Sequence, residues 1–255
     1  MRLLIVLIAF VIVAPLLATH DPMSTDTDSQ RLPPHAAHIL GTDALGRDVW
    51  SRVTTGGWRT FGVAALATVI ALLPGIIGGL ALSAAPRLIE HLADSSINAV
   101  LAFPSVVIAL IVLTLLGQGV MPLAFAVGIA QIVPTVRVVR GAALAIRGAG
   151  YLESARSLGA TPTRIVLFHV LPNIAPTLLA YAGVVFSYSL LNSAALSFLG
   201  LGGEPGVPDW GVMLAEGRQA FRSAPWIAFA PGVAITLSVM IVNRAADQLG
   251  RSPRR

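Results

Sequence analysis

Long apolar blocks separated by polar stretches dominate this sequence, in place of the regular apolar spacing of a half-buried helix or strand. Six blocks stand out, at residues 3–18, 61–85, 97–116, 121–136, 176–199 and 225–242. An α-helix rises about 1.5 Å per residue and the hydrocarbon core of a bilayer is about 30 Å thick, so about 20 consecutive apolar residues predict a membrane-crossing helix. The pattern predicts an all-α integral membrane protein with six transmembrane helices, of which the first and fourth blocks are the shortest.

The stretches between the blocks differ in character. Residues 19–60 are rich in Asp, Ser, Thr and Pro and read as a loop with a short helix after Asp43. Residues 137–175 read as helical around Gly141 to Gly148 and Tyr151 to Leu158, with a turn at Gly159 and Thr161-Pro162 leading into another helix. Residues 200–224 open with Gly200, Gly202, Gly203, Pro205, Gly206 and Pro208. A helix over 210–221 is then expected along the membrane surface, with Trp210, Met213, Leu214 and Phe221 on its apolar side. No internal repeat or low-complexity tract appears, so one compact membrane domain is expected.

Composition strengthens the membrane reading. Of 255 residues 55% are hydrophobic and 11% charged, against about a quarter charged in ordinary globular domains, and the mean hydropathy is +0.80. All 17 basic residues are Arg and the formal net charge is +5. Such basicity can signal nucleic acid, but these Arg residues lie mostly between and after the apolar blocks, where they act as topology signals and imply no nucleic-acid partner. With the N-terminus inside, Arg2, Arg87, Arg137, Arg140, Arg147, Arg156, Arg164, Arg244, Arg251, Arg254 and Arg255, 11 of the 17, fall on the cytoplasmic side. The positive-inside rule favours that orientation, with both termini cytoplasmic. The first block is expected to remain as an anchor, because no clear A-x-A cleavage site follows Ala14 and its removal would leave an odd number of spans. Without Cys, neither a disulfide nor a thiolate metal site is available.

The stretch 153–173 carries Glu153-Ser154-Ala155, three residues, Gly159, nine residues, then His169-Val170-Leu171-Pro172-Asn173. This resembles the EAA loop of permease subunits in binding-protein-dependent ABC importers, with Ser154 departing at the second position of E-A-A and His169 standing where the general pattern has Ile. The His-Val-Leu-Pro-Asn ending is similar to the dipeptide, oligopeptide and nickel branch. Three further segments resemble that branch: the run from His38 through Gly41-Thr42-Asp43 to Gly46-Arg47-Asp48, with Ile39 for the usual Pro; Leu196 to Gly202; and Pro208-Asp209-Trp210-Gly211 to Leu214. The resemblance covers nearly the whole chain in order.

That resemblance implies the type I ABC importer permease fold and an inner-membrane location in a bacterium. Residues 1–60 would supply the first span and an extracytoplasmic segment, and 61–255 the core permease with five spans and a cytoplasmic coupling loop at about 137–175. It implies a second homologous permease, two ATPase subunits that carry ATP and Mg, and an extracytoplasmic solute-binding protein. Glu153, Ser154, Ala155, Arg156, Gly159, His169, Leu171 and Pro172 would form the coupling loop. Tyr151 to Leu158 can supply a short rigid helix, Gly159 a turn open to positive φ, and Glu153 and Arg156 polar docking groups. A merely solvated juxtamembrane helix would leave the spacing to Leu171-Pro172 unexplained.

No Lys is present, so a P-loop, whose Lys reaches the β and γ phosphates, is excluded and no cofactor is expected on this chain. H-E-x-x-H, G-x-S-x-G and intramembrane carboxylate pairs are absent too. That argues against an enzyme and against an ion-coupled carrier, which would show charge near the bilayer midplane. Gln131, Asn192 and Ser193, with Ser187 and Ser189, can face a translocation path or bond between helices. Gly75 and Gly79 favour close helix packing. His35, His38 and His91 are isolated in sequence and His20 ends the first block, so no metal site is expected. Asp43, Arg47 and Asp48 can pair with one another or, with Trp210, contact a docking solute-binding protein. Peptides are the expected cargo. Nickel chelates and glutathione are the alternatives within the family, and an ATP-independent carrier or a structural anchor outside it.

Overall fold

The computed structural model describes residues 2–250, with the side chains of residues 2–6, Ile8 and Arg87 outside the described set. The topology signals assigned to the side chains of Arg2 and Arg87 and to Arg251, Arg254 and Arg255 therefore lie outside the described residues. Among the described residues eleven α-helices run in chain order. α1 is Arg2–Val13 and stops because Pro15 permits only a short 3-10 turn, Ala14–Leu17. α2, Val49–Ser83, has 35 residues and is about 52 Å long. α3, Arg87–Leu101, and α4, Ser105–Leu116, are separated by Phe103-Pro104. α5, Val120–Ala130, and α6, Ile132–Ala145, meet at Gln131. α7, Gly150–Ser157, is short. α8, Pro162–Ile165, passes through a π turn, Val166–Val170, into α9, Leu171–Phe198. α10 is Trp210–Ala220 and α11 is Trp226–Gly250.

Among the described residues, four helical runs are long and apolar enough to cross a membrane: Val49–Ser83, Val120–Ala145, Pro162–Phe198 and Trp226–Gly250. A fifth exists if Leu88–Leu101 and Ser105–Leu116, bent by 83°, count as one span. Of the six expected spans, four or five meet this test among the described residues; α1, with 12 described residues, does not reach the ~17 that a span needs. The block 97–116 is broken because Pro104 has no N–H and restricts Phe103 to extended geometry. The second block is also corrected: its helix starts at Val49, not at residue 61, because the Asp48 carboxylate caps it by accepting from Ser51 N at 2.8 Å. No separate short helix follows Asp43.

Packing explains why the bundle closes. Gly75 and Gly79 let α2 lie against α6, since a Cβ at either would press into Thr135 or Val139. At the end of the bundle that carries Asp48, Val49, Leu190, Trp210, Met213 and Ile227 form one core. Val63, Leu113, Leu123, Val127 and Leu196 form the next layer. Leu80, Val139, Leu152, Ile165, Ile174 and Leu178 close the opposite end. α10 is corrected from a surface helix to a packed one, with Trp210 only 3% exposed and Met213 1%. Phe221 alone of its expected apolar face stays half-exposed, against Phe229 at 5.6 Å.

Candidate functional site

α7 is an anchored helix with an open face. Leu152, 1% exposed, inserts into the core formed with Ile165, Val170 and Ile174, while Glu153, Ser154 and Ser157 are exposed and Arg156, one turn on from Leu152, is exposed at the rim of a cavity beside it. Ser154 Oγ donates to Gly150 O at 3.0 Å and Ser157 Oγ to Glu153 O at 3.0 Å. Both hydroxyls thus bond to their own helix, leaving the charged groups exposed. Glu153 in the first turn and Arg156 in the last match the helix dipole. Leu158, 88% exposed, and Phe168, 71% exposed, add apolar surface beside them.

The end of α7 is fixed by backbone chemistry. Gly159 N donates to Arg156 O at 2.9 Å and Ala160 N to Ala155 O at 3.0 Å, which is the Schellman pairing of a helix C-terminus. It requires positive φ at Gly159, observed at 82°, and no atom lies within 4 Å of where a Cβ would stand. The glycine is therefore needed for its backbone angle and not for space. Thr161 then caps α8 by accepting from Arg164 N at 3.4 Å, with Pro162 next in the helix. Leu171 and Pro172 open α9 straight after the π turn that contains His169. Behind α7 a cavity of about 310 Å³ is lined by Ser83, Arg147, Leu152, Arg156 and Ile165 among others. Leu152 and Asn173, whose side chain bonds to the His169 carbonyl, had no assigned role in the sequence reading. An apolar residue one position before the Glu was the signal for Leu152.

At the opposite end, Asp43, Arg47 and Asp48 are buried. Their charged atoms turn inward, so of the two expectations it is the pairing with one another that the structure shows for Asp43 and Arg47. Arg47 Nε donates to Asp43 at 2.7 Å and its Nη2 to Glu216 at 2.9 Å. Arg52, fully buried, donates to the same Asp43 oxygen and to Glu216 at 2.6 Å. Arg52 and Glu216 were not singled out from sequence, because nothing local links residues that the fold alone brings together. Gly46, at φ 78°, closes the turn that sets Asp43 and Arg47 side by side, and the Asp26 carbonyl lies where its Cβ would be. Trp210 is buried likewise, donating Nε1–H to Val53 O at 2.8 Å, so its indole is structural and not a docking surface.

Asp48 serves a second cluster. Its Oδ2 accepts from Ser51 N at 2.8 Å and Ser51 Oγ at 2.7 Å, and its Oδ1 from His38 Nδ1 at 2.8 Å. Burial opposes the charge, but the bonds from Ser51 and His38 outweigh it and hold the carboxyl below its ordinary value. His20 stacks on His38 with ring centroids 4.6 Å apart. The expectation of isolated histidines is corrected here: a chain reversal brings residues 20, 38 and 48 together.

The three candidate path residues do not share a face. Gln131, buried, sits at the α5–α6 junction, and its carbonyl accepts from Thr135 Oγ1 at 2.7 Å. Ser193 is buried and bonded to Leu190 O at 3.1 Å. Asn192 is half-buried on the open side of α9 and donates to Tyr188 O at 2.8 Å. Tyr188 in turn meets Ser105 Oγ at 3.0 Å, across from the start of α4. Asn192 is the one of the three whose helix face stays open.

Residues 75–255 match the family model described as "Binding-protein-dependent transport system inner membrane component". The chain is 35% identical over 242 residues to the di/tripeptide transport system permease protein DppC of Pseudomonas aeruginosa, covering 92% of this chain and 80% of that one. It is 32% identical to the dipeptide transport system permease protein DppC of Alkalihalophilus pseudofirmus, covering 96% and 82%. To the glutathione transport system permease protein GsiD of Pectobacterium atrosepticum it is 34% identical, covering 88% and 74%. A solved chain of the MetNI methionine ABC transporter in an inward-facing conformation superposes with a TM-score of 0.67 at 19% identity, over 78% of this chain and 95% of that chain. That likeness establishes the shared fold.

Proposed function

The chain belongs to the family of binding-protein-dependent transport system inner membrane components, and from that premise we propose how this multi-pass permease subunit of an ABC importer works. It forms half of a translocation path for di- or oligopeptides beside a second homologous permease. Two ATPase subunits bind and hydrolyse Mg-ATP, and an extracytoplasmic solute-binding protein delivers cargo. The observation that carries this reading is α7. Leu152 pins a short helix to the bundle while Glu153, Arg156 and Leu158 stay exposed, which suits a lever that docks on a moving partner. ATP-driven closure of the ATPases is passed through residues 153 to 172 into α9, alternating the path between two faces. The α7 end and the end of α11 are cytoplasmic, as the Arg distribution supports.

Names of relatives support peptide cargo, with glutathione as the second reading because a glutathione permease covers 88% of this chain at 34% identity. Co-purification from native membranes, with subunits identified by mass spectrometry, tests the assembly. Recovery of a second permease, ATPase subunits and a solute-binding protein is expected, and screening of that binding protein then separates peptide from glutathione. Recovery of this chain alone, under conditions that preserve a known importer, overturns the reading.

A further inference from the structure

Three of the chain's five histidines gather at the Asp48 end of the bundle. His20 and His38 stack with centroids 4.6 Å apart, and His35 meets the edge of His38 at 5.2 Å. His38 Nδ1 lies 2.8 Å from Asp48 Oδ1 and His20 Nδ1 3.9 Å from Asp48 Oδ2. One ligand atom from each of His20, His38 and Asp48 lies within 4.8 Å of the others. We propose that these three side chains bind a divalent transition-metal ion of the zinc class, which clips the segment after α1 to the start of α2.

The donor set argues for that class. Two imidazoles and one carboxylate suit zinc and its neighbours, whereas magnesium and calcium prefer oxygen throughout. Bonds of about 2.0–2.2 Å place ligand atoms about 3.3 Å apart around a tetrahedral ion. His38 Nδ1 stands 2.8 Å from Oδ1, inside that value, and His20 Nδ1 3.9 Å from the other oxygen, Oδ2, outside it. Metal entry therefore takes a small withdrawal of the His38 ring and a swing towards Oδ1 of the His20 ring, whose side chain is 42% exposed. Asp48 divides its work: Oδ2 caps α2 through Ser51, and Oδ1 faces His38. An ion on Oδ1 leaves the cap in place. His38 moves its proton from Nδ1 to Nε2, so that the neutral ring offers a lone pair.

A hydrogen bond pairs His38 with Asp48, while His20 Nδ1 meets only the exposed Thr19 Oγ1 at 3.0 Å, a contact that a metal bond would replace. Thr19 N and His20 N already donate to Ser51 Oγ at 3.1 Å and 3.0 Å, so the backbone beside His20 is preset at the site. Binding needs no partner subunit and does not depend on transport.

The test uses the full-length chain in lipid nanodiscs, purified on a tag free of histidine, stripped with chelator and titrated with Zn²⁺ by calorimetry. One Zn²⁺ per chain is expected for the unmodified protein and for His91→Ala, with affinity reduced at least about tenfold in His20→Ala and His38→Gln. Co²⁺ in place of Zn²⁺ is expected to give four-coordinate visible absorption that His20→Ala abolishes. Because His20 is exposed, an unchanged metal-free unfolding midpoint shows that this variant keeps its fold. Zn²⁺ uptake by His20→Ala equal to that of the unmodified chain, or no uptake by either, overturns the proposal.

Discussion

The Asn173 side-chain amide donates to the His169 carbonyl at 2.7 Å, beside Pro172, which has no N–H to give. The join between the π turn and α9 is therefore held partly by a side chain. Asn173→Ala removes one hydrogen bond, worth about 0.5–1.5 kcal/mol. It is expected to lower the unfolding midpoint slightly while reducing uptake per ATP hydrolysed. Reconstituted vesicles that report both rates check this; a ratio equal to that of the unmodified protein counts against a role in coupling.

Gly159→Val tests the turn. Space is open around the position, so the expected penalty is the backbone strain of positive φ, about 1–2 kcal/mol. The variant is expected to insert in the membrane normally and lose most uptake, with Gly159→Asn retaining more because Asn tolerates that φ. Equal uptake by all three proteins contradicts the coupling role.

Arg52→Met leaves Asp43 and Glu216 sharing Arg47 alone. Removing one member of a buried ionic set costs about 3–5 kcal/mol, so a large fall in the chemical-denaturation midpoint is expected. Arg52→Met combined with Glu216→Gln is expected to cost less than the sum of the two single changes. Strict additivity shows that the contact carries no coupling energy.

Acid dependence follows from Asp48. Its folded carboxyl lies below the ordinary 3.8, so its contribution is fully present above the unfolded value and is lost as pH falls through the folded one. Asp48→Asn keeps an oxygen for the cap but loses the charge. The stability gap between the two proteins is expected to be open at pH 7 and to narrow below about pH 4. Thermal unfolding across that range checks it, and a gap that widens on acidification refutes it.

The membrane class and the short helix and turn of residues 150–159 were legible in the sequence because both are local. Apolar length is written in consecutive residues, and the turn at Gly159 follows from one glycine and the Thr161-Pro162 pair. Span ends were misplaced where polar residues continue a helix. Thr54, Thr60 and Arg52 lie in α2 and looked like loop, yet each is buried by partners that sequence does not name. Pro104 broke a span that hydropathy joined. Asp43 and Asp48 were read as local pairs or a docking contact, without Glu216 and His20, because those partners are distant in the chain.

In the proposed mechanism α7 docks on an ATPase. The chain has no Cys, so Leu158→Cys provides a single attachment point at a side chain that is 88% exposed. Cross-linking this variant in the assembled complex, with linked peptides read by mass spectrometry, is predicted to join residue 158 to an ATP-binding subunit, while Leu199→Cys at the far end of α9 joins none. Absence of any ATPase peptide on residue 158 in an intact complex would contradict the account.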